Sequence, residues 1–112
     1  ILGRPVGDCI LHCRGDHLEM EEVLAAAAEG NTAVEVNANP SSMDLDWKCC
    51  LKAQELGVNM CISPDAHRAA RLVDYRHGAE LAHDAGIKCT SILNTLSNHD
   101  LREYLSKCRN GR

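Results

Sequence analysis

Short apolar runs alternate along the chain with longer amphipathic stretches, a pattern that predicts strands separated by helices. The first run, Ile1 to Arg4, stops at Pro5 and Gly7 and reads as a strand end followed by a loop. Leu18, Val23, Leu24, Ala27 and Ala28 then recur at helical spacing, in an Ala-rich setting with acids in the first turn. They predict a helix from Leu18 to Glu29 closed by Gly30. Ala33 to Asn37 alternates with β-favouring residues and stops at Asn39-Pro40, a second strand. Asp44 is placed to cap a helix with apolar positions Leu45, Cys49, Ala53 and Leu56, ending at Gly57. A third strand is expected over Val58 to Ile62, and a helix over Leu72 to Ala85 with Gly86 as its stop. Ser97 and Asp100 have the spacing of a capping box opening a last helix to about Cys108.

Strands alternating with helices mean an α/β fold with a parallel sheet. Such sheets and barrels place their functional loops at the carboxyl ends of the strands. Arg4, Asn37 to Asn39, and Asp65 with His67 all fall at such ends, so the three are expected to share one face. Three strands alone leave a thin sheet with two raw edges, which invites pairing with further strands. The native sheet or barrel is therefore expected to contain strands that this chain lacks. Ile1 itself lies inside an apolar run and reads as a cut end.

The strongest chemical signal is Pro64-Asp65-Ala66-His67, immediately after the third predicted strand. Residues two apart on a strand point the same way, so Asp65 and His67 could reach one metal ion. Imidazole nitrogen with carboxylate oxygen suits Zn, Mn or Fe, whereas an oxygen-only set suits Ca or Mg. The competing reading is a loop Asp capping the next helix beside a solvated His. Glu35 lies inside the second strand and must be paired or hydrogen-bonded if buried, which suggests a supporting or structural carboxylate more than a direct ligand. Asn37 and Asn39 can orient a ligand or shape the turn before Pro40, and the turn is the expected role.

With 112 residues the chain has room for one small domain. No run approaches the roughly 18 apolar residues of a membrane span, and the amino end lacks the pattern of a signal peptide, so a cytoplasmic protein is expected. The seven Cys are odd in number and several occupy apolar positions, which suggests small, buried, reduced thiols in place of a disulfide framework. Cys9, His12, Cys13 and His17 match no paired zinc knuckle, and His77, His83 and His99 fall where surface or packing roles are expected. The net charge of -4 is spread in mixed sign, leaving no basic stripe for a phosphate backbone. Gly3 to Gly7 is too short and too poor in Gly and Lys for a phosphate-cradling loop.

Four segments taken together go further: Val34-Glu35-Val36-Asn37-Ala38-Asn39-Pro40, Met43-Asp44-Leu45-Asp46-Trp47, Ile62-Ser63-Pro64-Asp65-Ala66-His67-Arg68 and Leu93-Asn94-Thr95-Leu96. In this order and spacing the chain resembles the last part of the polymerase and histidinol phosphatase (PHP) domain, in the version fused to bacterial family X DNA polymerases. The resemblance covers nearly the whole chain. It implies that residues 1–112 are the carboxyl-terminal βα units of a distorted (β/α)7 barrel, without its amino-terminal strands and without the polymerase domain. It also implies a cluster of divalent metal ions, Mn or Zn with Fe or Mg as further options, which hydrolyses phosphate esters. The implied substrate is DNA, bound by the full-length protein, and the implied role is 3'-to-5' exonuclease action and 3'-end processing in repair.

Carried over position by position, Asp65 and His67 match the family's final pair of metal ligands. Gly3-Arg4-Pro5-Val6-Gly7-Asp8 is similar to the family's Gly-His-Pro-Thr-Gly-Arg, with Arg4 where a ligand His would stand and Asp8 in place of an Arg. A guanidinium has no lone pair for a metal. Arg4 either weakens the cluster while binding substrate phosphate, with Arg68 as a second phosphate candidate, or marks a domain kept as an inactive scaffold. A histidinol phosphatase-like enzyme acting on a small phosphate ester is the remaining alternative.

Overall fold

The computed structural model describes residues 1–3, 5, 17–41 and 45–110. Helix α1 (His17–Glu29) leads into strand β1 (Val34–Asn37), helix α2 (Trp47–Glu55) and strand β2 (Met60–Ser63). A 3-10 segment (Ala69–Asp74) precedes helix α3 (Tyr75–Asp84), two short 3-10 turns follow at Cys89–Ser91 and Leu93–Thr95, and helix α4 (Asn98–Asn110) comes last. From the first helix onward the predicted order of strands and helices is present, with shifted boundaries.

The strands β1 and β2 pair in parallel, with Val34 opposite Met60 and Asn37 opposite Ser63. Single parallel bridges extend the sheet on both sides, Leu2 to Val34 and Met60 to Ile92. Leu2 N–H donates to the Ala33 carbonyl at 2.7 Å, and Glu35 N–H donates to the Leu2 carbonyl at 2.9 Å. The expected first strand is thus reduced, among the described residues, to that one bridge. The arrangement is parallel α/β, as expected, and among the described residues it is a two-stranded sheet with flanking bridges.

Three helices end in one way, for a sequence reason. After α2, Gly57 has φ 73°, its N–H donates to the Gln54 carbonyl, and Val58 N–H donates to Ala53. After α3, Gly86 has φ 72°, with the same pair of bonds to His83 and, from Ile87, to Ala82. Both are Schellman ends, in which glycine takes the left-handed position. In α1 that position belongs to Asn31, at φ 47°, and the expected stop Gly30 sits one residue too early to hold it. Asn31 N–H reaches Ala28 and Thr32 N–H reaches Ala27, so the motif is the same with asparagine tolerated in the left-handed conformation.

The helix starts differ from expectation at two places. The cap of α2 is Asp46, whose carboxylate accepts from Cys49 N–H at 2.8 Å; the expected cap, Asp44, lies outside the described residues. Leu45 is buried ahead of this cap and joins the same core cluster as Cys50, the two positions that a hydrophobic staple brackets. The stretch expected as one helix from Leu72 to Ala85 divides at Asp74, a buried carboxylate 2.9 Å from the Arg71 guanidinium. Ser97 caps the last helix: its hydroxyl oxygen accepts from Asp100 N–H at 3.1 Å and, where a strict capping box would use the Ser97 N–H, the hydroxyl donates to the Asp100 carboxylate at 2.7 Å. That hydrogen bond, more than the neighbouring His99, holds the Asp100 carboxyl below its ordinary pKa.

Leu24 and Ala27 of α1, Cys50 and Ala53 of α2, and Ala82 of α3 pack in one cluster with Val34, Val36, Met60 and Ile62. These are alternate residues on each strand, so one face of the sheet is closed by helices. The alternate set, Glu35, Asn37, Cys61 and Ser63, belongs to no part of that cluster. The approach of α3 is close enough that a Cβ on Gly78 would lie 2.7 Å from Ile62 Cγ2 and 2.9 Å from Ala38 Cβ. Among the described residues no helix is long and apolar enough to cross a membrane.

Candidate functional site at the strand ends

Parallel pairing brings the carboxyl ends of β1 and β2 side by side, and the polar residues there come from both. The pairing runs one residue past β1, since Ala38 N–H donates to the Ser63 carbonyl at 2.7 Å. Beyond β1 the chain turns through two successive side-chain bonds. Asn37 Oδ1 accepts from Asn39 N–H at 2.9 Å, and Asn39 Oδ1 accepts from Ser41 N–H at 3.0 Å. Both asparagines therefore shape the turn before Pro40, by the Asx geometry their short amides favour.

Beyond β2, Ser63 Oγ accepts from Asp65 N–H at 3.4 Å, and Asp65 adopts φ 48°. A left-handed conformation in a residue other than glycine is strained by about 1 kcal/mol and tends to be retained at functional sites. Strand alternation is thus not what relates Asp65 to His67, because the strand has already ended. They are related by a loop contact: His67 Nδ1 lies 2.9 Å from the Asp65 carbonyl. A carbonyl oxygen only accepts, so Nδ1 carries the proton, and in the neutral imidazole Nε2 keeps its lone pair. Metal-ligating histidines are commonly fixed in this way, by a carbonyl bond from the nitrogen that does not bind the ion. Asp65 is half-buried, and His67 and Arg68 are exposed.

The donor chemistry of Asp65 and His67 fits two positions of a divalent ion's shell. Among the described residues, no third His, Cys, Asp or Glu joins them in a group able to hold a metal. Arg68 begins the 3-10 segment without a side-chain capping bond. Arg4 and Asp8 lie outside the described residues, as do Cys9, His12, Cys13 and the side chain of His17.

Glu35 is half-buried within β1, opposite Cys61 and close to Gly3, where a Cβ would lie 3.5 Å from Glu35 Oε2. Burial, and then the Glu35 charge, push the Cys61 thiol above its ordinary pKa. Burial likewise pushes Cys49 and Cys50 up to about 12, which keeps these thiols protonated at neutral pH. The five described cysteines are free, as expected; Cys50 is buried, whereas Cys89 is exposed, contrary to the expectation of buried thiols throughout.

Sequence reasoning gave no structural role to Asn94. Its amide accepts from Ile62 N–H at 2.8 Å and donates to the Ile62 carbonyl at 2.9 Å, continuing on the edge of β2 the pairing that the Met60–Ile92 bridge begins. The partners are 32 residues apart, and no local spacing announces such a bond. A cavity of about 460 Å³ lies beside this edge, walled by Ile62, Leu72, Tyr75, Ala82, Ile87 and Ile92. That wall is largely apolar and is poorly suited to a phosphate.

Over 107 residues, 96% of its length, the chain is 32% identical to the DNA polymerase/3'-5' exonuclease PolX of Bacillus subtilis. The chain resembles a stretch of PolX. It spans 19% of that relative's length. No family model matches the chain.

Proposed function

We propose that this chain is part of a metal-dependent phosphoesterase domain of the PHP type that acts on 3' ends of DNA, with Asp65 and His67 as two ligands of a divalent ion. The observation that carries this reading is the His67 Nδ1 bond to the Asp65 carbonyl, which leaves Nε2 available beside a carboxylate at the strand ends. The similarity to a polymerase and exonuclease supports DNA as the substrate. A divalent ion held there would supply Lewis acidity toward water and the phosphoryl oxygens. The chain's own part is positional. The Asp65 carbonyl fixes the imidazole tautomer and orientation, the Asp65 carboxylate brings negative oxygen, and Arg68 offers a cation near the same loop for phosphate. The remaining ligands, in this reading, are not among the described residues.

A second reading is favoured by one sequence observation: Arg4 stands where the family places a ligand His, which suits a scaffold that has lost catalysis. Asp65→Asn and Arg4→His in the whole protein, assayed on a 3'-recessed duplex alongside metal content, separate the two. Under the enzymatic reading, Asp65→Asn lowers exonuclease activity by about 100-fold or more and reduces bound metal. Unchanged activity and metal in Asp65→Asn would overturn it. Inactivity in the native protein that Arg4→His relieves would establish the scaffold reading.

A further inference from the structure

The side-chain amide of Asn37 is a buried donor with no acceptor among the described residues. Asn37 is 1% exposed, and its Nδ2 makes no hydrogen bond there. The orientation of the amide is settled by its other end, because Oδ1 accepts from Asn39 N–H at 2.9 Å. Turning the amide over would break that bond and set two donors against each other. A buried donor left unmatched is destabilising, so one that persists calls for an acceptor from elsewhere.

Its place in the sheet says where that acceptor would sit. Asn37 ends β1 in register with Ser63, which ends β2, so their side chains lie on the same face. It is the face opposite the helix-packed cluster. Ser63 Oγ holds the turn that carries Asp65 and His67. An amide Nδ2 has no lone pair, so this end of Asn37 cannot bind a metal ion. What it can do is donate to an oxygen. A neutral donor fixed in a buried setting is suited to an anionic oxygen, because it needs no reorganisation when the charge arrives.

We propose that Asn37 Nδ2–H binds an oxygen of the phosphate ester at the strand-end site, as a substrate-binding residue. The proposal rests on the phosphoesterase reading above, and it adds a contact to phosphate that neither Asp65 nor His67 can make.

The test follows the Asn37 side-chain amide signals of the whole protein in ¹H–¹⁵N spectra. One titration uses inorganic phosphate, and a second uses thymidylyl-thymidine, a phosphodiester without a terminal phosphate. A shift of the Asn37 amide with phosphate alone assigns the contact to a free phosphate or monoester; a shift with the dinucleotide assigns it to the DNA backbone. Asn37→Asp keeps the Oδ1 acceptor for Asn39 N–H but removes the donor, and binding of the responding probe is expected to weaken about tenfold. If neither probe moves the native Asn37 amide, the proposal is overturned, whatever the variant does. Broadening by Mn2+ of the Asp65 and His67 signals is read separately. Broadening without any phosphate response sinks the Asn37 contact and leaves the metal reading standing. A phosphate response at Asn37 without broadening keeps the anion contact and removes the metal reading, and silence in both removes both.

Discussion

On one face of the sheet Val34, Val36, Met60 and Ile62 are sealed against three helices, and on the other Glu35, Asn37, Cys61 and Ser63 alternate with them, polar and uneven in burial. The same eight residues thus serve two purposes, divided by the period of two that a strand imposes. The apolar face is finished: its residues are buried in a single cluster. The polar face holds a carboxylate, a thiol whose ionisation is suppressed and an amide with no acceptor among the described residues. The division teaches that stability and chemistry have been assigned to opposite sides of one thin layer. A substitution can then reach one without the other.

The sharpest way to break this comparison is a matched pair on neighbouring residues. Met60→Ala opens a cavity on the sealed face and is expected to lower stability by about 3 kcal/mol in urea unfolding. Cys61→Ala, one residue later on the polar face, is expected to change it by less than about 1 kcal/mol. Equal losses would show that the polar face is as tightly closed as the other.

The edge of β2 comes next in size. Asn94→Ala removes both partners of Ile62, its N–H and its carbonyl, and is expected to destabilise by about 2 kcal/mol. Amide exchange at Ile62 should quicken markedly in that variant while Val36, on the paired strand, changes little. Uniform quickening would mean that Asn94 supports the whole fold and not the edge. Gly78→Ala follows at about 1 kcal/mol, because the added methyl meets Ile62 and Ala38 at 2.7 and 2.9 Å while gaining helix propensity. A stabilised Gly78→Ala protein would show that α3 can draw back from the sealed face at no cost.

These elements also show what the sequence made legible. Alternation in Ala33 to Asn37, the stops at Gly57 and Gly86 and the box at Ser97 and Asp100 could all be read, because each is written within a few adjacent residues. Asp44 and Asp46 are both acids just ahead of the helix, and the bond from Cys49 N–H to the Asp46 carboxylate is what marks Asp46 as the cap. The helix expected from Leu72 splits, its first turns forming a 3-10 segment that ends at Asp74, where the carboxylate pairs with Arg71. At the candidate site Asp65 and His67 stand out by type and spacing, but what relates them is a turn beyond β2 and not strand alternation. The left-handed turn at Asp65 is not encoded by a glycine, so nothing local in the sequence marks where the period of two ends. Asn94 and the stranded donor of Asn37 were beyond reach, since each is defined by what lies across the fold.

The smallest expected effect compares thiols near the two faces through pH. Burial raises the Cys50 pKa in the fold from an ordinary value of 9.0 to about 12, and Cys61 is raised for the same cause, with the Glu35 charge second. As pH climbs above 9.0, the unfolded chain releases these thiol protons while the folded chain retains them. The unfolded state then binds fewer protons, so stability falls with rising pH across the window from 9.0 to about 12. The contribution is fully present below that window. Urea midpoints measured between about pH 8 and pH 10.5 are expected to drop less in Cys50→Ala than in the native chain, with Cys61→Ala between the two. If Cys61→Ala instead abolished more of the drop than Cys50→Ala, the polar face would be the drier environment for a thiol, and the division of labour between the faces would have to be redrawn at that position.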